Sequence, residues 1–438
     1  MSSPWLSLLS LGAILVLIAL RLPIGVALGG VAFAGFWYMR NLEVALSVVR
    51  EVPFVFAANW ELTAIPMFLL MGSIANNSGI SASLFRAARV WLGALPGGLA
   101  VATNAACAGF AAACGSSIAA AAAMARLAIP EMLKHGYDKG LAAGVVASGG
   151  TLAALIPPSI LFVLYGIFAE VSIVKLLIAG ILPGLLTAAI YSVMIIVRCR
   201  LDPSLAPAIV FADLPALRRE RRESTKEVWP LFALIVGIIG GLYAGVVTPT
   251  EAGAGGAFVA MVLGLVRRQL PLAKLLQSLK DSMSTTAQIF FIGMGAVMYT
   301  KFLALAGISS LMAGTIGSWA LDPLLLVVAI SIIYLILGMF LDPLGIMLIT
   351  IPVFVPMFAA LKLDLVWLGV LVVKYVEIGM LTPPVGFNVY VVKAAVGDTI
   401  PLETIFRGCF WFLACEIVIM SLLIGFPQIS LWLPNTMG

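Results

Sequence analysis

Two short stretches of this chain put backbone oxygens where a membrane helix normally hides them. They are Gly149-Gly150-Thr151-Leu152-Ala153-Ala154-Leu155-Ile156-Pro157-Pro158-Ser159 and Gly379-Met380-Leu381-Thr382-Pro383-Pro384-Val385-Gly386-Phe387-Asn388. Each lies in apolar sequence and carries a Pro-Pro pair at its centre. Proline removes a backbone donor and clashes with the preceding turn. The residue before it is pushed out of the α region, so the carbonyls of Ile156 and Thr382 leave the helical ladder. Free carbonyls at membrane depth are tolerated only inside protein or beside a wet cavity. Such oxygens, joined by nearby hydroxyls, are ligands for a hard cation, and the half-helix N-termini beside them attract anions. Each stretch reads as the tip of a re-entrant hairpin, over about residues 140–168 and 365–396, or else as a plain helix kink.

The two stretches are 226 residues apart, and the same offset recurs along the chain. Pro4 falls on Pro230, Pro23 on Pro249, Gly29-Gly30 on Gly255-Gly256, Pro130 on Pro356 and Asp138 on Asp364. Apolar residues match by chance, but prolines and an aspartate in register do not. The chain is an internal duplication.

Composition excludes most other classes. Of 438 residues, 62% are hydrophobic and 10% charged, and the mean hydropathy is +1.15. This composition means an all-α polytopic protein whose solvent is the lipid bilayer. The net charge of +5 is spread over loops as topology signals and gives no reason to expect nucleic acid. Cys107, Cys114, Cys199, Cys409 and Cys415 lack metal-ligand spacing and read as small core residues. A single histidine, His135, rules out a multi-histidine relay or a two-histidine zinc site. No G-x-S-x-G elbow appears. The N-terminus lacks a basic n-region, so the first apolar run reads as a retained span.

The elements that position the two stretches follow from the apolar runs. Spans are predicted before and after Pro23, from Pro53 to Ile74, over residues 84–95 and 98–114, and after Gly115-Ser116-Ser117 to Ile129. Residues 130–139 read as a polar loop. Residues 198–227, with seven basic side chains, form the only long polar segment and join the halves. Arg267, Arg268, Lys274 and Lys280 read as a basic loop in the second half, with spans over residues 286–306, 308–320, 324–341, 344–360 and 405–426. Paired broken segments in two halves are a recurrent plan of secondary transporters built from inverted repeats.

At this point the chain resembles the large membrane subunit of tripartite ATP-independent periplasmic (TRAP) transporters. The resemblance rests on Ile65-Pro66-Met67-Phe68 with Met71-Gly72, Gly115-Ser116-Ser117, Ile129-Pro130-Glu131-Met132 with Gly136-Tyr137-Asp138, and Gly150-Thr151 with Ile156-Pro157-Pro158-Ser159. It continues with Thr248-Pro249-Thr250-Glu251-Ala252, Gly338-Met339-Phe340-Leu341-Asp342-Pro343 and Thr382-Pro383-Pro384-Val385-Gly386. One departure is Ala153, where many relatives carry glycine; its repeat partner Gly379 keeps it.

The resemblance implies sodium-coupled import of a small carboxylate, such as a dicarboxylate or sugar acid. It implies delivery by a periplasmic substrate-binding protein, a separate small four-helix membrane subunit, and a bacterial inner membrane location. It implies an elevator-type motion, with a transport bundle over about residues 84–170 and 308–398 sliding on a scaffold. The first repeat would run over residues 1–228, with a cytoplasmic linker at 198–228, and the second over 229–438. Two Na+ cages are implied at the motif positions: Cys114, Ser116, Ala153, Ile156 and Pro158 in the first half, and Gly338, Gly379, Thr382 and Val385 in the second.

An anionic substrate would sit between the hairpin tips, within reach of Ser116, Ser117, Thr151, Ser159 and Asn388. Each hydroxyl could equally bond back to its own helix. Asp342, the repeat partner of Ser116, is either a functional acid or a helix cap. Glu61, Glu170, Glu251 and Glu377 pose the same choice, with capping favoured for Glu251. Lys301, Lys374 and Lys393 lie in apolar sequence; one could pair with a substrate carboxylate, but each is expected to snorkel instead. Two other readings compete: a stand-alone anion symporter of similar plan, and an intramembrane hydrolase, for which no acid–base pair near a nucleophile is visible. The chain is therefore not expected to be an enzyme.

Overall fold

The computed structural model describes residues 4–207, 214–308 and 322–437. Every regular element among them is helical. Among the described residues, six helices are long and apolar enough to cross a membrane, and up to eight spans result if each of two bent pairs counts as one. Of the span predicted at residues 308–320, all but Ile308 lies outside the described residues.

The duplication is matched element by element. Helix Ser117–Lys134 corresponds to Pro343–Ala360, and their N-caps, Ser116 and Asp342, are the residues related by the offset. Asp138 and Asp364 are likewise both N-caps. Asp138 accepts from the Leu141 N–H at 2.8 Å, and Asp364 from Val366 and Trp367 at 2.7 and 3.1 Å. A side-chain cap satisfies a helix-end donor and is worth about 0.5–2 kcal/mol. One pair of counterparts differs. Leu42–Ala57 and Trp60–Asn77 meet at 56°, where Asn59 holds the turn by accepting from the Glu61 N–H. Their counterpart is a single 35-residue helix, Leu272–Ala306. Lys274 and Lys280, expected in a loop, therefore lie on a helix.

The chain does reverse in each half, but not where the sequence places the reversal. Thr103 Oγ1 lies 3.9 Å from Met132 Sδ, and the Leu99 N–H donates to the Tyr137 hydroxyl at 3.1 Å. A straight helix would separate residues 103 and 132 by roughly 40 Å at 1.5 Å per residue. Gly98–Cys114 and Ser117–Lys134 therefore form a hairpin, turning at Gly115, whose φ of +64° favours glycine. Pro130 lies inside the second arm, so the polar loop predicted at 130–139 begins only after Lys134.

In the second half, the Tyr334 hydroxyl is 2.5 Å from that of Thr350, and the Tyr334 and Phe354 rings are 5.5 Å apart. Pro323–Gly338 and Pro343–Ala360 thus double back in the same way. The Pro-Pro stretches instead break other helices. Lys139–Leu155 and Ile160–Phe168 meet at 43°, so the chain continues forward. Leu365–Gly379 and Phe387–Val396 flank the second break. Both Pro-Pro bonds are cis. Proline dictates that the ladder opens, whereas the direction taken afterwards depends on what packs around it.

The basic segment joining the halves is mostly helical, at the end of Ile181–Leu201 and the start of Leu214–Tyr243. Arg89 joins Glu220 on that second helix to Glu131 on the first hairpin, at 3.2 and 2.8 Å.

Candidate transport site

Each hairpin ends against a broken span. At Gly115 an added Cβ would lie 2.6 Å from the Pro158 carbonyl oxygen. Pro157 and Pro158 have no N–H, and the Ile160 N–H, the normal helical partner of the Ile156 carbonyl, turns to Gly115 O at 3.5 Å. Cys114 and Ser116 adjoin Gly115 and Ile156 lies two residues before Pro158, while Ala153 is buried in the short helix Leu152–Leu155 ahead of the break. Ser116 accepts from the Ala119 N–H at 3.5 Å, and the Cys114 thiol donates to Ser116 O at 3.6 Å.

At the second junction, a Cβ on Gly379 would meet Gly338 Cα at 2.5 Å and Gly338 O at 2.8 Å. Thr382 sits one turn on, its N–H bonded to Gly379 O at 3.1 Å. Its hydroxyl donates to Ile378 O at 2.8 Å, which leaves the oxygen lone pairs free to accept. Val385 lies farther along the same break. Both junctions present backbone and hydroxyl oxygens, the donor set of an alkali cation. Among the described residues, no three His, Cys, Asp or Glu side chains come together as a metal site.

A cavity of about 580 Å³ opens beside the hairpin tips. Its wall includes residues 115–118 and 342–344, the break at residues 22–25, and Gln288 of the long helix. Of the six residues expected to meet substrate, the structure brings Ser116, Ser117 and Asp342 to this wall. Asp342 also caps its helix, accepting from Leu344 and Gly345 at 3.1 and 3.2 Å. The other three are buried elsewhere. Thr151 bonds back to Ser148 O at 2.6 Å, Ser159 accepts from the Phe162 N–H at 3.4 Å, and Asn388 donates to Ala147 O at 3.2 Å.

Glu377, for which the sequence left open a functional acid or a helix cap, also lies on this wall. It is 1% exposed and accepts from the Ser117 hydroxyl at 2.7 Å. The available signal was its place as an acid in an apolar run, two residues before Gly379.

Lys374 corrects the snorkelling expectation. It is fully buried and pairs with Glu416 at 2.5 Å, and the Tyr191 hydroxyl donates to the same carboxylate. Lys301 is exposed, and Lys393 donates to Gly397 O at 2.6 Å. Glu61 and Glu170 are exposed, while Glu251 forms the expected capping box with Thr248. All five cysteines are buried.

Known proteins are similar to this chain over most of its length. Residues 11–429 match the family model of the tripartite ATP-independent periplasmic transporter, DctM component. The chain is 35% identical over 401 residues to the C4-dicarboxylate TRAP transporter large permease protein DctM of Pseudomonas aeruginosa, covering 91% of this chain and 90% of that one. It is 32% identical to the sialic acid TRAP transporter large permease protein SiaM of Vibrio cholerae, covering 98% and 97%. The crystal structure of the Alcanivorax borkumensis YdaH transporter has the same fold, with a TM-score of 0.61 at 16% identity over 89% of this chain and 90% of that one. The family is one of transporter permeases, which removes the hydrolase reading. The chain belongs to the DctM component family of tripartite ATP-independent periplasmic transporters.

Proposed function

We propose that this permease subunit imports a small carboxylate across a bacterial inner membrane, driven by sodium, with the ions held where each hairpin tip meets a broken span. The observation that carries this reading is the pair of junctions, Gly115 on Pro158 and Gly338 on Gly379. At each, the glycine approach leaves room for no side chain and sets one backbone carbonyl, Pro158 O or Gly338 O, against the facing segment. A buried carbonyl oxygen keeps a lone pair to offer even when it accepts one hydrogen bond, and a desolvated sodium ion would use it.

The cavity beside both junctions is the carboxylate site in this reading. Ser116 and Ser117 offer hydroxyls there, beside the positive end of helix Ser117–Lys134. Sodium binding at the junctions would fix the tips, and the tips form part of the cavity wall, so ion and substrate would favour one conformation together. The two halves are related by inversion, and the elements bearing tips and breaks move as an elevator against the rest. A small four-helix subunit and a periplasmic binding protein complete the system.

The test is reconstitution with the small subunit and substrate-loaded binding protein. Uptake that follows an inward sodium gradient and needs the binding protein is the expected outcome. Uptake by this chain alone would favour a stand-alone symporter.

A further inference from the structure

We propose that Glu377 receives a cationic nitrogen of the transported molecule, so that the substrate is a zwitterionic carboxylate rather than a simple dianion; this rests on the transporter reading above. Among the described residues lining the 580 Å³ cavity, two carry carboxylates, Asp342 and Glu377, and none is lysine, arginine or histidine. The basic residues adjoining the wall in sequence do not offset this. Arg21, before Leu22, is exposed, and Lys374, one turn from Glu377, is held by Glu416 at 2.5 Å.

The two wall acids are not equivalent. Asp342 already receives two backbone N–H groups on one oxygen. Glu377 receives only the Ser117 hydroxyl, on Oε1, and its Oε2 is buried without a partner. A buried carboxylate oxygen is left unpaired only at a cost. An ammonium or amidinium group would supply both the missing donor and the opposite charge.

The other pole of the cavity suits the carboxylate end of the same molecule. Ser116 and Ser117 stand where the 18-residue helix Ser117–Lys134 begins, and a helix N-terminus favours an anion. A dianion would instead set one carboxylate against Glu377.

The test uses the full chain with its small subunit in lipid nanodiscs at saturating sodium. Three four-carbon probes are compared by thermal shift: 4-aminobutyrate, butyrate and succinate. The expected result is stabilisation by 4-aminobutyrate at a concentration at least about tenfold below that needed for the other two, since a site that pairs a substrate group rejects analogues lacking it. Glu377→Gln should erase this preference, and Glu377→Asp should retain part of it. Equal or better stabilisation by succinate or butyrate overturns the proposal while leaving the transporter reading in place. A Glu377→Gln variant that needs more sodium but keeps the probe preference also overturns it, because the acid then serves the ion. No response to any probe, together with no sodium-driven carboxylate uptake, removes both readings.

Discussion

The Ser117 hydroxyl donates to Glu377 Oε1 at 2.7 Å, although 260 residues separate them. The bond ties the tip of the first hairpin to the second broken span, so neither half builds the cavity wall alone. In Ser117→Ala, Glu377 would have no partner on either oxygen. A hydrogen bond to a charged group is worth about 1.5–3 kcal/mol. The variant should melt several degrees lower and transport poorly, whereas Ser117→Thr should retain both properties. Scanning fluorimetry beside uptake checks this, and an unchanged melting point in Ser117→Ala would mean that the bond is inconsequential.

The Lys374–Glu416 pair lies one turn before Glu377 on the same span and is wholly enclosed. Breaking a buried pair leaves an uncompensated charge and costs about 3–5 kcal/mol, while replacing both partners by apolar groups is often neutral. Lys374→Met is therefore expected to lower folded yield sharply, and Lys374→Met with Glu416→Leu to recover most of it. The quantity to measure is the coupling energy of the four-member cycle of single and double variants. Additive losses would show that the pair is not the stabilising unit.

The duplication, the helical class and the breaks were legible because they rest on local chemistry. Asp138 and Asp364 stand in register in the sequence and both cap helices in the structure. Pro157-Pro158 and Pro383-Pro384 mark the two breaks. The direction of the chain was not legible. At Gly115 it reverses, because a left-handed residue and the Ser116 cap start a new helix back along the first. At Pro157 it runs on with a 43° bend. Both sites carry break signals, and tertiary packing alone separates them. Lys374 was misread for a similar reason: its partner Glu416 lies in the last span, and nothing local links them. The hydroxyls of Thr151 and Ser159 took local partners, the alternative that their residue types always offer.

Ala153 and Gly379 are repeat partners in different surroundings. At Gly379 a methyl group would sit 2.5 Å from Gly338 Cα, a clash with backbone that no rotamer relieves. Overpacking of this kind costs about 1–3 kcal/mol or more. Gly379→Ala should therefore be destabilised and transport-defective, whereas Ala153→Gly should cost only about 1 kcal/mol through backbone entropy. Melting points of the two purified variants decide the matter, and equal tolerance at both positions would remove the significance of the second junction.

The basic helix joining the halves is expected to face the cytoplasm, since positive charge near span ends marks that side. Glu220 lies on this helix, paired with Arg89 at 3.2 Å. A cysteine at position 220 should resist an impermeant thiol reagent in intact cells and react in inverted vesicles. Labelling from outside would reverse the assignment.

The central claim is that the junctions hold sodium, and Thr382 and Ser116 offer matched tests of it. Thr382→Val keeps the volume and removes the hydroxyl that lies one turn from Gly379. Ser116→Ala does the same at the first junction, and since it also removes an N-cap, folded yield must be measured with it. A ligand lost from a buried oxygen cage costs on the order of 1–3 kcal/mol, or roughly one to two decades in affinity. The deciding measurement is uptake in proteoliposomes across a sodium series, with the small subunit and substrate-loaded binding protein present. A half-saturating sodium concentration raised by about tenfold or more in each variant, at normal folded yield, is the expected result; an unaltered sodium dependence in both would place the ions elsewhere.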